Sequence, residues 1–327
     1  MTVPIEFVVA AIVALGASAL LVVRIERLGA RFSFSEAALG LLTALAANAP
    51  EITSAVTALT RGQRNIGVGV ILGSNVFNLA ALLGLGAVVA GRIDLHRRVV
   101  VLGGAVAIWV ALAGTASVTQ VLSPAWSLII ALVLFAPFVA VSALPTVIAD
   151  TREATGLRLW VRQALREEEQ ELRAAIHPTP GNWRDGAIAF VALVLVVIAS
   201  IVMEHGATNL GDRFGWSRIV IGAVLLAGVT SLPNAVAAIY LSTRGRGAAA
   251  FSEALNSNNL NVLAGLLIPA IFLGVGHPGH STLVTDWFYV GLTMVTLTMA
   301  LLRRGLTRAS GAVVIAGYVA FVVTIAH

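Results

Sequence analysis

The 327-residue chain contains no cysteine, and only 11% of its residues are charged. Without cysteine there are no disulfides and no thiolate metal sites. Lysine is absent as well, so all 21 basic side chains are arginines. In contrast, 58% of the residues are hydrophobic and the mean hydropathy is +0.93, which excludes an ordinary soluble domain and indicates a polytopic membrane protein.

The chain is basic, with a net charge of +5 and an isoelectric point near 10.8. Such a balance can indicate nucleic-acid binding, but the arginines lie in short loops between apolar runs, where membrane topology explains them better. We therefore expect the lipid bilayer and small inorganic cations as partners, and no nucleic acid. The sequence does not indicate an oligomeric state.

Apolar runs of about 20 residues, bounded by Arg, Gly or Pro clusters, predict ten transmembrane helices. The first run is as long as a span and has no basic region before it, so it is predicted to be a retained helix. The predicted bounds are Pro4–Val23, Glu36–Leu59, Ile66–Ala90, Val99–Val118, Leu122–Ala149, Ala187–Met203, Ile219–Ser242, Ala249–Gly274, Trp287–Leu302 and Ala309–Ala326.

The ten predicted helices divide into two sets of five around one hydrophilic segment. We expect a first five-helix unit over residues 1–149, a linker over 150–185 and a second five-helix unit over 186–327. Apolar residues recur at helical spacing in the linker, which predicts an amphipathic helix on the inner membrane surface. Its consecutive glutamates at 167–169 face several directions, which favours a solvated connector over an ion sensor.

The arginines predict the orientation of the chain. With the N-terminus outside, seventeen arginines lie in cytoplasmic segments and four lie outside, at Arg61, Arg64, Arg213 and Arg218. Such an excess on one side matches the positive-inside rule. The sequence therefore predicts a multi-pass protein of the cell membrane with its N-terminus outside and its long central loop in the cytoplasm.

Polar residues recur inside the second and third predicted spans. Asn48, Glu51 and Ser54 are three residues apart and share one helical face. Ser74 and Asn78, four apart, share a face of the next span. Because a carboxylate at the centre of a span costs ~3 kcal/mol on insertion scales, a functional role is the default interpretation of Glu51. Two polar faces of this kind predict a cation site.

The same pattern returns in the second half of the chain at a fixed offset of 183 residues. The offset relates Pro50 to Pro233, and each proline lacks the amide hydrogen that would bond the carbonyl four residues earlier, at Ala46 or Val229. Because five spans separate the copies, they cross the membrane in opposite directions, which predicts an inverted repeat. The further matches are Ser74 to Ser257, Asn75 to Asn258 and Asn78 to Asn261.

With these motifs the chain resembles the cation/calcium antiporter superfamily, of bacterial or archaeal type, which includes the sodium/calcium and calcium/proton exchangers. Its alpha-repeats carry a Gly-Thr-Ser-Leu-Pro-Glu type motif, followed 27 residues after the Glu by the last residue of a Gly-Ser-Asn-x-x-Asn/Asp motif. Both Glu51 to Asn78 and Asn234 to Asn261 keep this 27-residue step. The resemblance places alpha-repeat 1 at about 36–90 and alpha-repeat 2 at about 219–274.

The resemblance implies an all-α fold of two inverted five-helix repeats and a secondary active cation antiporter, not an enzyme, which works by alternating access. No cofactor is implied, and the ligands are the transported cations: Ca²⁺, Na⁺ or H⁺. The metal ions among them are hard and prefer oxygen ligands. The ion-binding positions are Asn48, Glu51, Ser74, Asn78, Thr230, Ser231, Asn234, Ser257 and Asn261.

The chain departs from the calcium-transporting pattern in its charges. Those members usually have an acidic residue in both repeats, whereas here Glu51 is matched by Asn234, and Asn261 stands where sodium/calcium exchangers often have Asp. One carboxylate compensates Na⁺ but leaves Ca²⁺ half compensated in a low-dielectric site. The alternatives are therefore a proton-coupled or monovalent cation exchanger, or a degenerate member that does not transport.

Other polar residues have less specific interpretations. Glu253 lies on one helical stripe with Ser257 and Asn261, roughly 12 Å from Asn261, so it either lines an inner vestibule, where it can relay protons, or is a helix-start carboxylate. We expect Asn75 and Asn258 to form interhelical hydrogen bonds. The charged residues at 204–205 and 212–213 are expected in a solvated outer loop.

A channel and an intramembrane enzyme are the rival classes. A channel needs rings of ligands along a continuous pore, which one asymmetric repeat pair does not supply. An enzyme needs a nucleophile and a base, and the repeats contain neither His nor Cys, which leaves a Ser or Thr nucleophile with Glu51 as base as the enzymatic alternative.

Overall fold

The computed structural model describes residues 2–32, 36–143, 156, 159–161, 163–164, 167, 181–243 and 247–326. These residues are mostly helical, and three helices contain a π-helical segment. The helices are α1 Thr2–Arg31, α2 Glu36–Ala47, α3 Ala49–Thr60, α4 Arg64–Asn78, π1 Leu79–Leu85, α5 Gly86–Ala90, α6 Arg97–Val118, α7 Pro124–Ala143, α8 Trp183–Phe214, α9 Arg218–Val220, π2 Ile221–Leu226, α10 Ala227–Thr230, α11 Leu232–Thr243, α12 Gly247–Leu260, π3 Asn261–Leu267, α13 Ile268–Leu273, α14 His280–Arg303 and α15 Arg308–Ala326, and the strands are β1 Arg92–Asp94 and β2 Gly305–Thr307.

Among the described residues, eight helices are long and apolar enough to cross a membrane, and a ninth is added if a bent pair counts as one span. The bent pair runs from Arg218 to Thr230 and from Asn234 to Thr243, with a bend of 50°. This agrees with a multi-pass membrane protein. The predicted span over 36–59 is divided into α2 and α3 and does not pass the same test.

Two helix breaks occur at matching positions in the two halves of the chain. Asn48 interrupts the helix between α2 and α3 with φ −82° and ψ 0°, and Ser231 interrupts it between α10 and α11 with φ −87° and ψ 0°. Pro50 and Pro233 are each the second residue of the helix that follows. Proline is favoured in a first helical turn because its missing N–H has no helical acceptor there, so the sequence sets where both helices restart.

The central helices of the two halves contact each other through glycine. A Cβ atom on Gly73 of α4 would lie 2.3 Å from the Ala223 carbonyl oxygen, and one on Gly222 would lie 2.3 Å from the Ile66 carbonyl oxygen. Both neighbours are backbone atoms, which cannot move aside as a side chain can. Glycine at these two positions therefore permits the close approach of α4 and π2.

The long helices α1 and α8 pack against each other at the edge of this core. Both helices contact the broken helix formed by α2 and α3. The contact is made by a small hydrophobic cluster that is separate from the main core. Five of its seven buried members are alanines, and the full set is Ala17, Leu21, Ala46, Ala49, Ala189, Ala192 and Val196. The outward faces of α1 and α8 carry exposed apolar residues, which suit contact with lipid.

The prediction of an outer loop after Met203 is wrong. The described helix α8 continues to Phe214, and Glu204 lies inside it with its side chain fully buried. Arg61 pairs with Glu204 at 2.6 Å, and Thr208 donates a hydrogen bond to the same carboxylate at 3.2 Å. Because these donors satisfy the buried charge, the helix continues through a sequence that appears hydrophilic. Asp212 in the last turn pairs with Arg218 at 2.9 Å.

Segments far apart in sequence meet at two opposite ends of the helices. At one end, β1 and β2 pair antiparallel, with Ile93 opposite Leu306. At the other end, the Arg64 side chain donates to the Leu273 carbonyl at 3.2 Å, and the Gln120 amide donates to the Gly276 carbonyl at 2.7 Å. These contacts fix which helix ends share a side of the molecule.

The linker lies largely outside the described residues, so the predicted amphipathic helix is not described as a whole. Within it, residues 159–161 and 163–164 are helical, and Glu167 pairs with Arg98 of α6 at 2.5 Å. The linker ends before its predicted limit, because Asn182 and Asp185 form a capping box that begins α8.

Candidate cation site

The nine residues that the repeats predict as ion ligands lie in the two broken helices and the two central helices. Each is at most 1% exposed. Burial of this many polar side chains among apolar helices is costly unless they bond one another or a ligand.

Asn48 connects the two halves of the chain. Its side-chain oxygen accepts a hydrogen bond from the Ser257 hydroxyl at 2.5 Å and one from the Asn234 amide at 3.1 Å. Its amide donates to the Ser257 carbonyl at 2.9 Å. Because every polar atom of this side chain is engaged, Asn48 here acts as a bridge between the halves.

Glu51 faces the break in the other half of the chain. Its Oε1 atom accepts from the Ser231 hydroxyl at 3.0 Å and from the Asn234 amide at 3.5 Å. Its Oε2 atom has no hydrogen-bond donor among the described residues. The carboxylate is fully buried and is held by neutral groups. The carboxylate therefore has no counter-charge among the described residues.

Four asparagines form reciprocal hydrogen bonds across the centre of the molecule. The Asn75 amide donates to the Asn258 carbonyl at 3.3 Å, and the Asn258 amide donates to the Asn75 carbonyl at 3.1 Å. The Asn78 amide donates to the Asn258 side-chain oxygen at 3.0 Å. In the matching bond, the Asn261 amide donates to the Asn75 side-chain oxygen at 3.1 Å. This confirms the prediction that Asn75 and Asn258 are interhelical hydrogen bonders.

These bonds use the nitrogens of Asn78 and Asn261 and leave their oxygens free. Five of the nine predicted residues have a buried oxygen with no hydrogen-bond partner among the described residues. These atoms are Glu51 Oε2, Ser74 Oγ, Asn78 Oδ1, Asn234 Oδ1 and Asn261 Oδ1. Ser54 Oγ, one turn from Glu51, is unpartnered in the same part of the chain. Unpaired carboxylate, amide and hydroxyl oxygens are the ligand types that hard cations such as Ca²⁺ prefer.

Thr230 and the Ala46 carbonyl form hydrogen bonds outside this network. The Thr230 hydroxyl donates to the Leu226 carbonyl at 2.9 Å, one turn earlier in its own helix. The Ala46 carbonyl, which Pro50 deprives of a helical donor, accepts from the Ser18 hydroxyl of α1 at 3.4 Å. This carbonyl thus contacts the peripheral helix α1.

The predicted donor set of the site contains a single carboxylate. No group of three or more His, Cys, Asp or Glu residues able to hold a metal occurs among the described residues. A site built from amides, hydroxyls and one acid suits a weakly held, exchangeable hard cation better than a permanently bound one.

A family model for the sodium/calcium exchanger protein matches residues 3–147 and 186–326. The chain belongs to the sodium/calcium exchanger family. Members of this family are transporters and not enzymes, and the match supports cation antiport. The chain is also similar to the inner membrane protein YrbG of Escherichia coli strain K12, with 28% identity over 263 residues that cover 77% of this chain and 73% of YrbG.

Solved structures of exchangers share the fold of this family member. The H⁺/Ca²⁺ exchanger CAX superposes with a TM-score of 0.71 at 13% identity, covering 99% of this chain and 84% of CAX. The sodium-calcium exchanger NCX_Mj superposes with a TM-score of 0.61 at 18% identity, covering 98% of this chain and 97% of NCX_Mj. At these identities the similarity shows the fold alone.

Glu253 lies apart from the central residues of this exchanger-family chain. It is partly buried on α12, one turn before Ser257, and it lies within electrostatic range of Glu26 on α1. A position between α12 and α1 is compatible with the predicted vestibule.

One buried acid of this exchanger-family chain, Asp286, is not among the residues predicted from the sequence. Asp286 was expected just outside the ninth span, but α14 begins earlier, at His280, and includes it. Asp286 is fully buried and accepts a hydrogen bond from the Thr115 hydroxyl of α6 at 3.1 Å. The signal available in the sequence was a row of threonines, at 282, 285, 293 and 296, which extends the polar face of the helix.

Proposed function

We propose that this chain is a secondary active cation antiporter that binds its substrate ion between the two repeats, at Glu51. The observation that carries the proposal is the set of five buried oxygens, unpartnered among the described residues, that both halves of the chain contribute around one carboxylate. The ligand positions are Asn48, Glu51, Ser74, Asn78, Thr230, Ser231, Asn234, Ser257 and Asn261. The transported cations, Ca²⁺, Na⁺ or H⁺, are the substrates.

The proposal includes ten spans arranged as two inverted five-helix repeats, at 1–149 and 186–327. The equivalent breaks at Asn48 and Ser231, each two residues before a proline of the repeat, support it. The pairing of β1 with β2 supports an even number of crossings between them, because both strands lie on one side. Six predicted spans separate the two strands, in agreement with this requirement.

We propose a cell-membrane protein with the N-terminus outside and the long central segment in the cytoplasm. The distribution of arginine supports this orientation, since seventeen of the 21 then lie in cytoplasmic segments. The ion pairs Arg24–Asp185 and Arg98–Glu167 then lie on the cytoplasmic side, at the ends of α1, α8 and α6.

The proposal includes alternating access, which the resemblance to the exchangers implies and the two-part arrangement of the helices supports. The pair α1 and α8 contacts the broken helix through short side chains, a smooth surface that permits sliding. An empty, ionised Glu51 opposes this movement because its charge would cross hydrocarbon unpaired. A bound cation or a proton removes that penalty, so each passage requires an occupant and the result is exchange instead of leak.

The single carboxylate favours a second candidate within the same class. Since one negative charge compensates Na⁺ or H⁺ fully and Ca²⁺ only half, proton-coupled or monovalent exchange is the alternative to sodium/calcium exchange. A degenerate member without transport is the remaining alternative.

Tracer flux into proteoliposomes tests the proposal and separates these candidates. We expect uptake of ⁴⁵Ca²⁺ or ²²Na⁺ only when an outward gradient of a counter-ion, Na⁺ or H⁺, is imposed. Uptake driven by an electrical potential alone, with single-channel currents, would contradict an antiporter. The absence of any gradient-driven flux of either tracer would favour the degenerate member.

A further inference from the structure

Asp286 is a buried acid to which the transport mechanism above assigns no role. It is fully buried in α14, and its only hydrogen bond among the described residues comes from Thr115, at 3.1 Å. Its second oxygen, Oδ2, has no partner there, and none of the ion pairs among the described residues includes it. Burying a carboxyl group with a single hydroxyl donor is costly, so a compensating role is expected.

Two routes through the packing connect Asp286 with the cation site. Tyr289, 1% exposed, lies close to Asp286 and to the side chain of Asn75. Asn75 in turn accepts the amide hydrogen bond of the proposed ligand Asn261. Along the second route, a Cβ atom on Gly114, the neighbour of Thr115, would lie 3.0 Å from the Val262 side chain. Asp286 therefore packs next to residues that contact the amides of the site, and not in the site itself.

The arginines of the neighbouring helices α4 and α6 lie in the first turns of those helices. Arg97 and Arg98 begin α6 at the end opposite Thr115, and Arg64 begins α4 and donates to the Leu273 carbonyl. No described basic side chain is thus paired with the Asp286 carboxyl. An ionised carboxyl at this position would act on the site through a low-dielectric interior, where charges interact over several ångströms.

We propose that Asp286 is a specificity-determining residue that supplies, from behind the ligands, the second negative charge that a divalent cation at Glu51 requires. This inference rests on the proposed function. It explains how a site with one central carboxylate can hold Ca²⁺ when the matching position in the other repeat is Asn234. The ion does not contact Asp286, and the effect is electrostatic.

The charge of the ion provides the test. An electrostatic contribution doubles with the charge of the ion, so neutralising Asp286 must weaken Ca²⁺ binding twice as much as Na⁺ binding on a logarithmic scale. If the carboxyl and the ion are on the order of 10 Å apart and the effective dielectric constant is about 20, Coulomb's law gives a loss on the order of tenfold for Na⁺ and on the order of a hundredfold for Ca²⁺. A defect in packing alone has no such dependence on charge.

The experiment is equilibrium binding of ²²Na⁺ and ⁴⁵Ca²⁺ to the purified full chain in nanodiscs. Asp286→Asn keeps the shape and removes the charge. Thr285→Val is the matched control, because the Thr285 hydroxyl donates to its own helix, at the Ser281 carbonyl, and carries no charge. We expect the two-to-one logarithmic loss for Asp286→Asn and unchanged affinities for Thr285→Val.

A second variant keeps the test decisive if Asp286→Asn fails to fold. Thr115→Val removes the one hydroxyl that stabilises the ionised carboxyl, so we expect a smaller loss with the same two-to-one ratio. Equal losses for the two ions, or no loss, would overturn the inference. Undiminished binding of both ions by Glu51→Gln would instead contradict the proposed site itself, which makes the two failures distinguishable.

Discussion

At the scale of single residues, Glu51 is the group on which the account depends. One oxygen is oriented by Ser231, and the other lies buried without a donor among the described residues. This is an arrangement in which a hydrogen bond fixes the carboxylate while a lone pair stays available to an ion. This geometry suits the reversible binding of a cation that we propose for Glu51.

Replacing Glu51 by Gln removes the charge and keeps the shape. Loss of one partner from a buried charge pair costs about 2–5 kcal/mol, so we expect cation affinity to fall roughly 30-fold or more and exchange to fall to background. Counter-ion-driven tracer uptake in proteoliposomes measures this. The melting temperature should be unchanged or higher, because a buried charge is removed; wild-type exchange rates would contradict the role of Glu51.

Asn234 is the residue at which a second carboxylate can be introduced. In Asn234→Asp, an acid replaces an amide 3.5 Å from Glu51, so the two charges repel unless a divalent cation or a proton lies between them. We expect tighter Ca²⁺ binding at alkaline pH and loss of that gain at acid pH, measured by ⁴⁵Ca²⁺ binding. Asn234→Ala, which removes the same amide donor without adding charge, is the control and should show no gain.

The sequence predicted which polar residues are buried better than it predicted the hydrogen bonds that each of them forms. The spacing of Asn48, Glu51 and Ser54 on one face, and its repetition, was sufficient to select buried residues. That Asn48 is fully hydrogen-bonded, and that Asn78 and Asn261 are left with free oxygens, depends on which helices meet. Such contacts join positions more than a hundred residues apart, so local periodicity cannot predict them.

At the scale of elements, the broken helices and the glycine contacts position the site. The breaks were predictable because Pro50 and Pro233 restrict the helix locally. The π-helical segments were not predicted, since no residue type marks them. Segment π1 begins at Leu79, directly after the proposed ligand Asn78, and π3 begins at the proposed ligand Asn261. A wider helix at these positions changes the direction of the side chains.

The close contact between α4 and π2 predicts that adding one methyl group at Gly73 lowers the stability of the protein. In Gly73→Ala the new Cβ atom would lie 2.3 Å from the Ala223 carbonyl oxygen, so the two helices must separate. We expect a loss of about 1–3 kcal/mol of stability, seen as a lower melting temperature in detergent. Gly291→Ala is the matched control, because a Cβ atom at that position would have no described neighbour within 4 Å. Equal melting temperatures for the two variants would contradict this packing.

At the scale of the whole molecule, hydropathy predicted a polytopic membrane protein and the repeat predicted its symmetry. The extent of α8 was not predictable from composition, because Glu204 is stabilised by Arg61, a residue 143 positions away. The distribution of arginine predicts the absolute orientation, and a direct measurement of topology tests it.

The absence of cysteine makes that measurement simple, since a single introduced thiol is the only reactive one. Thr60 and Asp94 are exposed at opposite ends of the helices. We expect a membrane-impermeant maleimide to label Thr60→Cys in intact cells and to label Asp94→Cys only in inverted vesicles. Labelling of Asp94→Cys in intact cells would place the N-terminus inside.

The central claim is that both repeats hold one ion at Glu51, and the anomalous signal of a heavy substitute ion tests it most directly. Crystals of the protein soaked with Tl⁺ in place of Na⁺, or with Sr²⁺ in place of Ca²⁺, locate the ion without reference to transport. The account predicts an anomalous peak coordinated jointly by the Glu51 carboxylate and the side-chain oxygens of Asn78 and Asn261. A peak bound by residues of one repeat alone, or no peak at Glu51 under conditions of measured exchange, would contradict it.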